Sequence, residues 1–445
     1  MRLKLKLFML MLALFIFSIC PAYALPSKII AISAGPSHCL ALGDDGSVWE
    51  WGSNWAGALN GVNDDKPHPT PIQVPIANVK MISAGMFQNL ALKDDGTVWV
   101  WGNSAYGNLG NFTGKGTFTP IQVPITNVSS TYAGKAWCFA IKDDGSVWAW
   151  GANHYGQLGD GTFESSARPV QVKIINISYI EGRGCFAIKD DMVWAWGDNV
   201  YDIIGNRTFT GVLGDDSPNM TRPEPFKVDG LSGVTGIAHG ETHTLILYAN
   251  GTVWAWGKDN YGQLGDGKVT GMFEYHNTPI ASKINGVKAV SAGGTYSMAL
   301  KNDGTVWTWG SIQGYIGSIV PQKVNGLNNI TMISAGDDHC MALKDDGTVW
   351  VWGLNDKGQA GDGTSDLVVS TPVRINFQSM ANDSSAANAI VSSNTASPTP
   401  TVEASQSANT ANPSRDNGLA FKLLGVVGLI ILVGGVICMI FINRK

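Results

Sequence analysis

The sequence predicts an all-β chain folded as a seven-bladed β-propeller with four-stranded blades, on three observations. A Trp-x-Trp-Gly string recurs seven times, beginning at Trp49, Trp99, Trp148, Trp194, Trp254, Trp307 and Trp350. The unit around each string holds short apolar runs and repeats at intervals of 43 to 60 residues, the period of a propeller blade. No unit at either end carries the polar face that caps an open solenoid, so the array is expected to close into a ring.

In the second unit the apolar runs read MISAG (81–85), NLAL (89–92), VWVWG (98–102) and PIQV (120–123), four strands in order. Asp-Asp-Gly between the second and third suits a tight hairpin, because Gly accepts the positive φ such a turn demands. The second tryptophans, Trp51, Trp101, Trp150, Trp196, Trp256, Trp309 and Trp352, stand two residues after the first. Both rings of a string therefore share one sheet face. The residue between them is usually small, with Glu50 and Val351 at the extremes, so the rings of one blade can pack on the small face of the next. Fourteen of the sixteen tryptophans serve these strings, which assigns them to the blade core.

The recurring order of SAG, HCLAL or HCMAL, DDGTVW, WG and GQLGDG (156–161 and 262–267) resembles the regulator of chromosome condensation repeat family over about 350 residues. The resemblance implies the seven-bladed fold. It transfers no single activity, since that family includes a nuclear nucleotide-exchange factor, a plant ultraviolet-B photoreceptor and a secreted β-lactamase inhibitor.

The two ends point to the cell envelope. Arg2, Lys4 and Lys6, the apolar run Leu7–Ile19 and Ala22-Tyr23-Ala24 read as a signal peptide over 1–24. The propeller then occupies 25–377, and a Ser/Thr/Pro/Asn-rich stretch over 378–418 has too few large apolar residues to fold, so it reads as a stalk. Leu423–Ile442 is twenty residues without a charge, enough for one membrane-spanning helix placed at 419–442, with a cytoplasmic tail at 443–445. This architecture, of prokaryotic type, places the propeller on the extracytoplasmic side. A formal net charge of −5 and the lack of a basic stripe argue against nucleic acid as a partner.

Few residues suggest chemistry. Gly262–Lys268 imitates a phosphate-binding loop, but Val269 stands where Ser or Thr would hold magnesium, so the glycines serve turn geometry. The Asp pairs at 44–45, 94–95, 143–144, 190–191 and 345–346 lack the alternating spacing of a calcium loop and are turn residues. Cys39, Cys138, Cys185 and Cys340 share one repeat position. Bridges 39–340 and 138–185 would join adjacent blades in an oxidising compartment, yet equivalent side chains point the same way round a ring, which favours free buried thiols. No motif calls for a metal, a cofactor or a catalytic residue.

Partner binding is expected on loops. The short G-x-x-[H] connection of the units carries Phe87, Trp137, Arg183, His243, Tyr296 and Asp338, with the aromatic and Arg character of interface hot spots. By resemblance, the secreted inhibitor branch engages its protein partner through a face built of such loops. Enlarged loops at 197–226 and 268–279 add Phe209 and Phe273. The expectation is a non-enzymatic binding or adhesion module for an extracellular protein or glycan. The alternatives are a propeller hydrolase or lyase acting on envelope polysaccharide, and a nucleotide-exchange activity that secretion disfavours.

Overall fold

The computed structural model describes residues 26–54, 66–104, 106–111, 116–198, 200–203, 206–209, 221–271, 274–312, 316–377, 428–433 and 436–441. Seven four-stranded antiparallel sheets follow one another along the chain and form the blades of a propeller. Blade 1 is β1 (Ile29–Ala34), β2 (His38–Gly43), β3 (Val48–Gly52) and β4 (His68–Val74). The later blades begin at Val79, Val128, Tyr179, Val234, Val287 and Ile330, each with the same strand order from axis to rim. Blade 4 adds a two-stranded hairpin, Val200–Ile203 with Asn206–Phe209, before its outer strand.

Each blade draws all four strands from one stretch of chain, so Val368–Arg374 completes blade 7 and not blade 1. The ring closes instead through side chains and a backbone bond from Asp337 N–H to Pro36 O at 3.1 Å. The blade 7 residues Met341, Leu343, Val349, Val351 and Ile375 share one apolar cluster with Cys39, Ala41, Trp49 and Trp51 of blade 1. Phe377 meets both Trp49 and Trp51 edge-on, with centroids 5.8 and 6.0 Å apart. Equivalent clusters fill the other six junctions. At the junction of blades 2 and 3, Leu90, Leu92, Val98 and Val100 of one sheet receive Cys138, Ala140 and Trp150 of the other. At two junctions large rings meet edge-on, Phe139 with Trp196 and Phe186 with Trp256, and the core is a ring of seven wedges.

The hairpin turns account for the DG[TS]VW pattern. Asp95 Oδ1 accepts the backbone N–H of Thr97 at 3.0 Å and its hydroxyl at 2.6 Å, while Thr97 Oγ1 accepts Trp99 Nε1–H at 3.1 Å. The same relay recurs at Asp144, Asp303 and Asp346, so these carboxylates hold turns. Blade 4 departs: Asp190 and Asp191 both take left-handed φ, 53° and 58°, in a two-residue turn between Lys189 and Met192.

The apolar run near the C-terminus differs from its expected form. Gly428–Val433 and Val436–Phe441 pair as antiparallel strands, with Val433 opposite Val436, and do not form the helix expected over 419–442. Among the described residues no helix is long and apolar enough to cross a membrane. The signal peptide and stalk expected at 1–24 and 378–418 lie outside the described residues.

Candidate functional site

Antiparallel order places the first-to-second and third-to-fourth strand loops at one end of every blade, and hydrogen bonds join them. Asn103 N–H reaches Phe87 O at 2.7 Å, Lys258 N–H reaches Thr242 O at 2.9 Å and Leu354 N–H reaches Asp338 O at 2.7 Å. This end is the loop face, and the Asp-Gly hairpins form the opposite face.

The repeat position expected to supply partner contacts does something else. His38 Nε2 lies 2.7 Å from Asn89 Oδ1, His243 Nε2 lies 2.8 Å from Ser297 Oγ, and His339 Nε2 lies 3.1 Å from Cys39 Sγ. Trp137 Nε1 donates to Gly182 O at 2.8 Å, and Tyr296 OH to Gly336 O at 3.1 Å and His339 O at 2.5 Å. In every case the group reaches from one blade into the next. Trp137, His243 and Tyr296 are buried and serve as latches between blades, which corrects their assignment to an exposed face. An aromatic ring on a short loop had room to turn inward because its neighbour offers a backbone acceptor. Phe87 is half-buried against the cluster of blades 3 and 4. The side chain of Phe209 and all of Phe273 lie outside the described residues.

The four thiols are free and buried. Cys39 Sγ–H points at Gln359 O (3.6 Å), Cys138 at Asn108 O and Cys185 at Gln157 O (both 3.5 Å). Each of these carbonyls also accepts the indole N–H of the same blade's second tryptophan, Trp51, Trp150 or Trp196, at 2.8 to 2.9 Å. The Cys position therefore faces the preceding blade's G-x-L-G loop, and neither bridge forms. Gly361 illustrates the need for glycine there: at φ +66° a Cβ would stand 2.8 Å from Trp51 Nε1. Trp101 instead donates to buried Glu50 Oε2 at 2.8 Å, which gives that carboxylate its structural role.

The Cys39–His339 contact is the one thiol–imidazole pair among the described residues. Burial raises the thiol far above its usual range and lowers the imidazole to about 3, so both partners are neutral. A nucleophile needs a thiolate, and this pair holds none at neutral pH.

At the axis, the innermost strands of all seven blades line a polar cavity of about 180 Å³. Ser33, Ser83, Ser291 and Ser334 each accept the backbone N–H of an alanine on the next blade, Ala84, Ala133, Ala335 and Ala34, at 2.9 to 3.0 Å. Two ion pairs cross its loop-face mouth. Lys135 of blade 3 meets Glu241 of blade 5, and Arg183 of blade 4 meets Asp337 of blade 7, both at 3.1 Å. Burial pushes the Glu241 carboxyl up, but Lys135 more than offsets it and holds the group below its usual range. Burial raises Asp337, against the pull of Arg183. Glu181, beside the pair, is pushed by burial to about 7 and accepts Gly184 N–H at 2.7 Å. Asp338 is half-buried at the same mouth.

A second feature of the loop face escaped the sequence reading. Tyr106, Tyr155 and Tyr261 occupy one position in the third-to-fourth strand loops of blades 2, 3 and 5, and are 60%, 39% and 46% exposed. Tyr106 stacks edge-on against His154, centroids 5.1 Å apart. Phe163 and Leu367, 48% and 56% exposed, extend the set into the loops of blades 3 and 7. The signal was a Tyr-Gly preceding each of three G-x-L-G loops. No group of metal-ligating side chains assembles among the described residues.

Regulator of chromosome condensation (RCC1) repeats are matched at residues 29–54, 128–157, 234–263 and 330–359 by one repeat description and at 95–141, 144–181, 250–300 and 346–387 by a second. Protein pim1 of Schizosaccharomyces pombe is 35% identical over 114 residues, 23% of this chain and 21% of pim1, so the match spans about a fifth of that relative. Human WBSCR16 superposes with a TM-score of 0.63 at 23% identity, over 75% of this chain and 94% of its own. Prp20p of Saccharomyces cerevisiae, described with its binding to Gsp1p and histones, gives 0.66 at 21% identity, over 80% and 91%. At these identities the likeness is one of fold.

Proposed function

Because the chain belongs to the regulator of chromosome condensation repeat family, we propose that it is a non-enzymatic binding propeller whose loop face engages a protein partner. One observation carries the reading: exposed Tyr106, Tyr155, Phe163, Tyr261 and Leu367 lie in the loops of blades 2, 3, 5 and 7 on the face that also holds the charged axial mouth. Tyrosine offers large contact area at little entropic cost, and a rigid ring of blades fixes the spacing of such anchors. Arg183 and Asp338 sit at the centre of this face, while Trp137, His243 and Tyr296 brace it from within. That Prp20p is described as binding Gsp1p and histones is consistent with partner binding by a propeller of this fold.

The test is capture of partners from native extract on the full chain and on a Tyr106→Ala/Tyr155→Ala/Tyr261→Ala variant with an unchanged melting temperature. A protein retained by the parent and lost by the variant supports the loop face. Equal capture by both moves the site elsewhere.

The same proposal places the propeller outside the cytoplasm, supported by the Leu7–Ile19 run before Ala22-Tyr23-Ala24. Sequencing the N-terminus of the mature protein and treating intact cells with protease test this. A mature chain beginning at Leu25 and a protease-sensitive propeller are expected; an intact Met1 and a protected propeller overturn it.

A further inference from the structure

The partner's chemistry can be narrowed from the charge around the exposed rim. Asp160 and Glu164 in blade 3, Asp266 and Glu274 in blade 5, and Asp362 and Asp366 in blade 7 all lie in the loops that carry the rim, and all are exposed or half-exposed. The basic residues of these three loops are Lys268 and Lys357, and the blade 2 loop that carries Tyr106 has Lys115 and no carboxylate. Nearer the axis, Lys135 and Arg183 are already engaged by Glu241 and Asp337, and Glu181 and Asp338 add further acidic groups. The loop face is thus aromatic and acidic together.

We infer that the occupant of the Tyr106–Tyr155–Tyr261 rim is a protein segment rich in Lys and Arg, which rests on the loop face being the binding surface. An ammonium or guanidinium group over a tyrosine ring is attracted by the ring's negative face. Surrounding carboxylates raise the local concentration of a cationic segment and speed its encounter. An acidic or purely apolar partner would bury these carboxylates without compensation. Exposed tyrosines supply contact area, and the carboxylates select among partners that could use it.

The test titrates the full chain with a fluorescent twenty-residue peptide alternating Lys and Ser, and with its Glu/Ser counterpart. The Lys peptide alone is expected to bind, with affinity falling about tenfold or more between 50 and 500 mM salt, the scale of screening for several exposed charges. The triple tyrosine variant is expected to lose at least about fivefold at low salt, and Glu164→Gln/Asp362→Asn/Asp366→Asn to flatten the salt dependence. Binding of both peptides alike, of neither, or of the Lys peptide with no loss in the tyrosine variant overturns the inference. Failure here is separable from failure of the face. A native partner captured through the tyrosines but not displaced by the Lys peptide sinks the cationic occupant alone, whereas capture indifferent to the tyrosines sinks the face.

Discussion

His239 fills the space that a side chain on Gly184 would need: a Cβ at Gly184 would lie 2.5 Å from His239 Cγ. Gly184 occupies the latch position of blade 4, where other blades carry His, Gln, Trp or Tyr. The space is filled from the other side. His239, on the inner strand of blade 5, turns toward that gap and sets Nδ1 2.9 Å from Thr244 Oγ1. Thr244 is the blade 5 counterpart of the residues that receive His38 and His243 in their own next blades. That polar contact stays within blade 5, and across the junction His239 contributes packing, against Gly184 and the Phe186 ring 5.6 Å away.

Gly184→Ala is therefore expected to destabilise the propeller by about 2 kcal/mol, the scale of overpacking in a closed core. His239→Ala should also destabilise, by opening a cavity, but Gly184→Ala made on that background should cost much less than alone. Denaturant unfolding of the two single variants and the double variant measures the coupling. Additive costs would refute the shared space.

Stability should fall on mild acidification. Burial lowers His38 to about 4 and His243 and His339 to about 3, while the unfolded chain titrates near 6.5. Below about 6.5 the unfolded state binds protons that the folded state refuses, so the latches' contribution is full above that pH and is lost as pH falls toward 3 to 4. Glu181 and Asp259, both raised by burial to about 7, act with the opposite sign below that pH, but the four buried histidines, with His239 also lowered well below its usual value, outweigh two carboxyls. His243→Gln, which copies the blade 2 latch Gln88, should flatten the acid limb of stability against pH.

Glu181→Gln isolates one of these opposing contributions. A carboxyl raised to about 7 loses its contribution as pH rises from its unfolded value to about 7, so the variant should gain relative stability across that window, about 3 kcal/mol in all. An amide oxygen can still accept Gly184 N–H. Paired denaturation curves at pH 5 and pH 8 read the difference.

The propeller thiols should be inert in the folded protein. Cys39, Cys138, Cys185 and Cys340 are buried, and burial raises each of them well above the usual thiol range. Alkylation followed by peptide mapping is expected to label these four only in denaturant, and to recover neither a 39–340 nor a 138–185 bridge.

Trp51→Phe tests the closure. It removes the indole N–H that reaches Gln359 O while keeping most of the ring in the cluster with Phe377. The expected cost is about 1 kcal/mol for one lost buried hydrogen bond. Amide exchange should accelerate first in blades 1 and 7, because the chain does not run directly from one of these blades into the other as it does at the remaining junctions.

The sequence by itself determined the blade. Period, paired tryptophans and hairpin chemistry are local: Asp95, Thr97 and Trp99 need only one another, so seven copies announce seven equivalent sheets. The alternation of Trp150 with small Ala149 likewise reported how neighbouring sheets would pack. Tertiary structure alone decided the use of the variable positions. Trp137 and Tyr296 have the composition of interface hot spots, yet whether such a ring faces solvent or the next blade depends on a backbone acceptor about forty residues away, Gly182 or Gly336. Tyr106 and Tyr155, one turn from glycines that look purely structural, are the aromatics left outside because Gly110 and Gly159 bring the loop backbone against the tryptophan of the next blade. Burial in a closed ring is a property of neighbours, and sequence proximity does not name them.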